Sequence, residues 1–159
     1  VFRMSCIYGP HQLGNEDQGW VAHFVRQALR DAPVTIFGDG CQVRDILFID
    51  DLVEALVTAS ERIDDIRGQA LNIGGGPANA VSLLQLTEVI AQTLGRRPAL
   101  RFGPWRASDQ RYYVSDVRRA GRLLDWTPRR SIDFGILQVV HWLADHHGIT
   151  VEQAAGRMA

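Results

Sequence analysis

Short apolar runs alternate along the chain with longer stretches in which apolar residues recur every three or four positions, a rhythm that predicts an α/β fold. The first run, 1–7 (VFRMSCI), reads as a buried-type parallel strand already under way at the first residue. A polar loop over 9–19 follows, then a helix over 20–30 whose stripe is Val21, Phe24, Val25, Ala28 and Leu29. A strand over 34–37 is stopped by Gly38-Asp39-Gly40, a turn sequence. The run 43–49 is apolar except for Arg44-Asp45, so one of its faces meets something polar.

Asp51 and Glu54 have capping-box spacing for a second helix, with Leu52, Leu56 and Ala59 on one face and Val53 and Val57 beside them. A strand over 70–73 runs into Gly74-Gly75-Gly76. Ser82 and Gln85 repeat the capping-box spacing for a helix ending near Gly95, with Leu83, Leu86, Val89 and Ile90 inward. The segment 99–102 reads as a short strand, and 115–124 and 132–146 as helices, the last packing Ile132, Ile136, Val139, Val140 and Leu143. The tail after Gly148 reads as frayed. These are too few strands for a complete nucleotide-binding sheet. The chain is therefore expected to leave a parallel-sheet edge uncovered and not to fold as an independent, complete sheet.

Composition narrows the function classes. Seventeen basic residues against eighteen acidic give a net charge of -1, which argues against a strongly basic nucleic-acid surface. The basic residues are all arginine. Their planar forks suit phosphate and carboxylate oxygens, although a GC-rich genome or a thermal habit produces the same bias. Cys6 and Cys41 lie far apart, as in a reducing compartment, and no apolar run is long enough to cross a bilayer. A cytoplasmic protein without membrane or nucleic-acid partners is the expectation. The five histidines and two cysteines show no metal-ligand spacing, so no metal site is expected.

FRMSCIYGP (2–10), QVRDILFIDDLVEAL (42–56), NIGGG (72–76), RASDQR (106–111) and LLDWTP (123–128) occur in order along the chain. In order and spacing they resemble the C-terminal half of the extended short-chain dehydrogenase/reductases, the NAD-dependent epimerase/dehydratase family. DQGWV (17–21), QVRD (42–45), NIGGGPAN (72–79), and SDQR with YVSD (108–116) are more particular to its CDP-paratose 2-epimerase branch. The resemblance implies that the whole chain, 1–159, is the C-terminal portion of an NAD(P)-binding Rossmann enzyme: late sheet strands plus the small substrate-binding domain. The N-terminal dinucleotide-binding half would lie outside this chain. Consistent with that, no G-x-x-G-x-x-G turn follows a strand, and the absence of lysine rules out a Tyr-x-x-x-Lys pair, so no catalytic residue is expected here.

The resemblance further implies NAD as cofactor, a CDP-linked sugar epimerised at C2 as substrate, and a homo-oligomer. A 4-epimerase, a 4,6-dehydratase, or a non-catalytic relative binding a nucleotide-sugar or a protein stands as the alternative. By resemblance Arg44 reaches the diphosphate, Arg106 the diphosphate or the ribose, Arg111 is a further substrate contact, Gln18 and Trp20 approach the sugar or the base, and Cys6 stands where relatives contact the sugar. Ser5 and Cys6 would lie against the nicotinamide. Each also has a plainer reading: Arg44 paired with Asp45 or another acid, Arg106 and Arg111 paired with Asp109 and Asp116, Trp20 packed inward, and Cys6 a buried thiol. Ser108 stands where the family most often has glycine, which puts the geometry of that loop in question.

Overall fold

A computed structural model describes residues 1–149. The run expected as one strand over 1–7 is two, β1 (Phe2–Met4) and β2 (Cys6–Tyr8), broken at Ser5. β1 lies parallel to β5 (Leu71–Ile73), with Phe2 opposite Leu71 and Met4 opposite Ile73. β2 lies parallel to β4 (Val43–Phe48), with Cys6 opposite Ile46. The extended run changes neighbour at the break, and its first half is not buried as expected: Val1 and Met4 are 86% and 54% exposed. Burial of a parallel strand needs a cover on each face, and among the described residues only Phe2 of β1 packs into a core.

β4 carries most of the remaining strand pairing. Its first three residues pair antiparallel with β6 (Ala80–Ser82), and Val43 and Arg44 pair parallel with β8 (Tyr112–Tyr113). β3 (Val34–Phe37) forms a separate parallel pair with β7 (Leu100–Gly103). The strands over 34–37 and 71–73 lie where the apolar runs put them. β6 and β8, of three and two residues, are too short to show a period of their own.

Three helices, α1 (Trp20–Leu29), α4 (Leu83–Leu94) and α6 (Ile132–His147), close one core around Tyr8, Ile36, Phe48, Leu86 and Val139. A second core, under α2 (Ile49–Glu61), α3 (Ile63–Ile66) and α5 (Arg118–Leu124), holds Leu47, Leu52, Leu71, Ile73 and Trp126. The capping box of α4 forms as read: Gln85 N donates to Ser82 Oγ at 3.1 Å, and Ser82 N to Gln85 Oε1 at 2.8 Å.

The one read at Asp51 and Glu54 does not form. α2 starts at Ile49 with no side-chain cap, and Asp51 is turned into the protein. That turn also decides which face of α2 is buried. Leu52 and Ala59 of the expected face go inward, with Ala55 and Asp51, while Leu56, Val53 and Val57 are 51%, 48% and 53% exposed, contrary to expectation. α5 begins at Arg118 rather than at 115, because Asp116 accepts the Arg118 backbone N–H at 3.1 Å and stops the helix extending backwards. The expectation for the tail after Gly148 falls almost wholly outside the described residues. No helix among the described residues is long and apolar enough to cross a membrane.

Candidate functional site

Side chains alternate across a strand, so Arg44 leaves one face of β4 while Val43 and Asp45 leave the other, and Gln42 immediately precedes the strand. On the first face Arg44, 14% exposed, pairs with Asp109 at 2.6 Å and donates to Val43 O at 2.7 Å. Its partner is therefore an acid from a distant loop and not its neighbour Asp45. Gln42 is buried, and its amide N–H groups go to Phe37 O at 2.7 Å and Asp109 Oδ2 at 3.3 Å. Asp109 is thus held by Arg44 of β4 and by Gln42 just before it.

These groups line a cavity of about 270 Å³, together with Trp20 and His23 of α1, Phe37 at the end of β3, and Arg106. The Arg106 guanidinium lies over the Phe37 ring at 4.0 Å. It also donates to Glu16 O at 3.0 Å and pairs with Asp17 at 3.1 Å, tying the 9–19 loop across the cavity. A cation on an aromatic face is an attractive arrangement, and it leaves a guanidinium and a ring edge at the same opening.

Ser108, in the loop that carries Arg106 and Asp109, has φ 65, the left-handed conformation that glycine adopts freely. The serine therefore holds a glycine-type backbone shape under strain. Ser108→Gly is expected to raise stability by about 0.5–1 kcal/mol, read as a higher denaturation midpoint; a lower midpoint would mean that the hydroxyl makes up for the strain.

The other expected residues divide. Trp20 lines the cavity while its Nε1 donates to Cys6 Sγ at 3.3 Å and its ring meets Phe24 edge-on, so it both packs and faces the opening. Cys6 sits against Trp20. Burial pushes its thiol above the usual range, the Trp20 hydrogen bond opposing it, so it is a packed thiol acceptor rather than a nucleophile. Arg111 is exposed, its guanidinium 4.8 Å from the Trp105 ring centre, and is not among the cavity-lining residues. Gln18 is also exposed, with its backbone held by Asn15. The plainer pairings expected for Arg106 and Arg111 are not found, because Asp109 holds Arg44 and Asp116 holds Arg118.

On the opposite face of β4, Asp45 is fully buried. Ser5 Oγ lies 2.8 Å from Asp45 Oδ1, and Gly76 N donates to Oδ2 at 3.0 Å. This carboxylate joins the break between β1 and β2 to the glycine turn after β5. A side chain at Gly74 would run into Asp45 Oδ2, and one at Gly75 into Ile46 O, so two of the three glycines are there for close approach.

His23 was not foreseen as a site residue. It is buried at 6% exposure beside the cavity, three positions after Trp20 and so on the same helix face. Its Nδ1 lies 3.1 Å from Arg26 Nη2. Burial, then the Arg26 charge, lowers its pKa, with Glu16 pulling the other way. Phe37, Gln42 and Asp17 were also missed as lining residues. The signal for Gln42 was its place two positions before Arg44. Among the described residues no cluster of three or more His, Cys, Asp or Glu is arranged to hold a metal ion.

Residues 1–74 match the family model described as "NAD dependent epimerase/dehydratase family". The chain is 37% identical over 147 residues to the CDP-paratose 2-epimerase of Salmonella typhi, a match covering 89% of this chain and 44% of that protein. It is 29% identical over 142 residues to the UDP-glucuronate 4-epimerase of Thermodesulfobacterium geofontis, covering 89% and 42%. In structure it superposes with a TM-score of 0.82 on the UDP-glucuronic acid 4-epimerase of Bacillus cereus, solved with UDP-glucuronic acid and NAD. That match is at 29% identity over 91% of this chain and 45% of the other. The chain thus spans about half the length of the relatives it matches, and its α/β fold with parallel pairs is the expected portion of a Rossmann-type enzyme.

Proposed function

The chain belongs to the NAD-dependent epimerase/dehydratase family, and on that premise we propose that the whole protein epimerises a nucleotide-sugar, CDP-paratose at C2. The observation that carries the reading is the meeting of Arg44, Arg106 and the Phe37 ring at one cavity. Two guanidinium forks suit the oxygens of a diphosphate, and a ring edge suits the flat face of a base. Both arginines are already aimed by carboxylates, Arg44 by Asp109 and Arg106 by Asp17, so little side-chain freedom remains to be lost on binding. The likeness to the Salmonella enzyme favours CDP and C2 over the 4-position chemistry of the other relatives.

The work of this chain in that reaction is grip and orientation. With the diphosphate fixed, the sugar is free to turn and present either face while the nucleotide stays in place. No general acid or base for C2 is assigned to this chain, which has no Tyr-x-x-x-Lys pair. The dinucleotide-binding half, in the rest of the protein, would close the site against β1 and the turn after it.

The residues here fit a bound NAD at that edge. Ser5 follows the carboxyl end of β1, and Gly74 follows that of its parallel partner β5, which is where ligands seat in open α/β sheets. Ser5 is partly exposed there and is oriented by Asp45. Cys6, whose sulfur is engaged by Trp20, offers a packing surface instead. NAD, when bound, supplies reversible hydride acceptance, which makes the overall epimerisation redox-neutral.

Incubation of the full-length protein with CDP-paratose in heavy water is expected to give the C2 epimer with the substrate's own hydrogen kept at C2, as followed by NMR. Deuterium at C2 would point to deprotonation beside a carbonyl. No turnover with this substrate would transfer the proposal to the 4-epimerase and dehydratase reactions.

A further inference from the structure

The turn 15–18 borders the cavity through Glu16 and Asp17 and is closed on itself. Asn15 Oδ1 accepts the backbone N–H groups of Asp17 at 2.9 Å and Gln18 at 2.8 Å, and Asn15 N donates to Gln18 O at 2.7 Å. All four residues are exposed. At its ends the chain doubles back: a side chain at Gly14 would run into Gly19 O, and Gly19 is left-handed at φ 69. To the rest of the protein, the turn's hydrogen bonds and ion pair among the described residues all come from one side chain. Arg106 Nη1 serves both Glu16 O at 3.0 Å and Asp17 at 3.1 Å. That guanidinium is only half used. Its other edge, Nε and Nη2, makes no hydrogen bond among the described residues and is not sealed from solvent. Two parallel N–H groups on an open edge match two oxygens of a phosphate. The Phe37 ring lies against the guanidinium face and fixes its plane, and the ring is backed by Gly103, where a Cβ would come within 3.1 Å of it.

We propose that Asp17 is a positioning residue for the diphosphate: through Arg106 it makes the turn 15–18 a lid, latched at Nη1 while a phosphate occupies the Nε–Nη2 edge. The inference rests on the nucleotide-sugar reading above and deepens it. One side chain then serves two anions on different edges, and each holds it where the other needs it. The anions repel, but the Asp17 side chain is 82% exposed, so solvent screens that term. By linkage, the factor by which a bound diphosphate keeps the lid shut equals the factor by which the lid strengthens diphosphate binding. Exposed ion pairs are weak, which sets that factor at about twofold to fivefold. The competing arrangement, in which the phosphate displaces Asp17 from the guanidinium, has the opposite sign: binding would open the turn.

The test is cleavage of the full-length protein after Glu16 by a dilute glutamate-specific protease, read by mass spectrometry with and without saturating CDP or inorganic pyrophosphate. Calorimetry of the same ligands runs alongside. Cleavage under these conditions follows the open population of the turn. Both ligands are expected to slow it about twofold to fivefold. Asp17→Ala should speed cleavage without ligand, abolish the protection, and weaken CDP and pyrophosphate by a matching factor while NAD binding is unchanged. Asp17→Glu, which keeps the carboxylate at slightly longer reach, should restore most of both effects. Faster cleavage on binding, or binding with no change at Glu16, would overturn the lid and leave the diphosphate reading standing. Protection that persists in Asp17→Ala would show simple shielding by the ligand and overturn it too, as would undiminished affinity in that variant. If neither ligand binds the unaltered protein, the diphosphate reading itself fails, and this inference with it.

Discussion

Replacing Arg44 with alanine is expected to weaken CDP binding by about tenfold to more than a hundredfold while NAD binding stays unchanged. The range follows from the cost of losing a hydrogen bond to a charged group, about 1.5–3 kcal/mol. Arg44 suits this test because it is mostly shielded from solvent and because its ion-pair partner among the described residues, Asp109, keeps a second contact to Gln42 when the guanidinium is gone. Asp109 is itself 27% exposed, so water replaces part of the lost contact and the fold should hold. Arg44→Lys should fall between the two proteins, since an ammonium keeps the charge but cannot make two parallel contacts to phosphate. Calorimetry on the full-length variants, with CDP and NAD titrated separately, decides the matter. An unchanged CDP affinity would remove Arg44 from the site, and a parallel loss of NAD affinity would mean that the substitution disturbs the whole molecule.

Arg44 was legible in the sequence because a charge within an apolar strand needs a partner, and only two kinds were available, a ligand or an acid. Which acid it was could not be read, because Asp109 lies 65 positions away on a loop with no period of its own. The same limit applies to the break at Ser5. An unbroken run of strand-forming residues contains no mark of where the chain exchanges one neighbour for another, since the signal is the Asp45 carboxylate forty positions on. The α4 cap was legible because both of its hydrogen bonds are local, three residues apart. The cap read into α2 has the same spacing and fails because tertiary partners take its aspartate. His23 was hidden for a related reason: its spacing from Trp20 placed it on the right face, but its burial depends on the packing around it. The parts of the site made by alternation or by helical period could be read, and the parts made by contact between distant segments could not.

Asp51 shows the energetic side of that distinction, and its removal should destabilise the fold more than any other exchange considered. The carboxylate is fully buried, and its oxygens accept from Arg129 N at 3.1 Å, Arg130 N at 3.0 Å and Arg130 Nη1 at 2.6 Å. The Trp126 indole donates to the Asp51 backbone carbonyl at 2.9 Å, so this one residue of α2 fastens the whole connection between α5 and α6. Asp51→Ala leaves two backbone donors unpaired and takes from Arg130 one of its two acids. Breaking a buried pair from one side costs about 3–5 kcal/mol. Arg130 is 26% exposed and keeps Glu54 at 2.6 Å, so the lower half of that range is expected. Asp51→Asn, which keeps an acceptor for the backbone N–H groups, should lose about half as much. Denaturant unfolding of the full-length variants, followed alongside CDP binding in the native baseline, separates this role from the site. The midpoints should fall in the order unaltered, Asn, Ala, with CDP affinity preserved in whatever remains folded. If Asp51→Ala unfolds no more easily than the unaltered protein, the carboxylate is not what joins α2 to residues 126–130. The apolar contacts of Leu52 and Trp126 would then have to hold that joint alone.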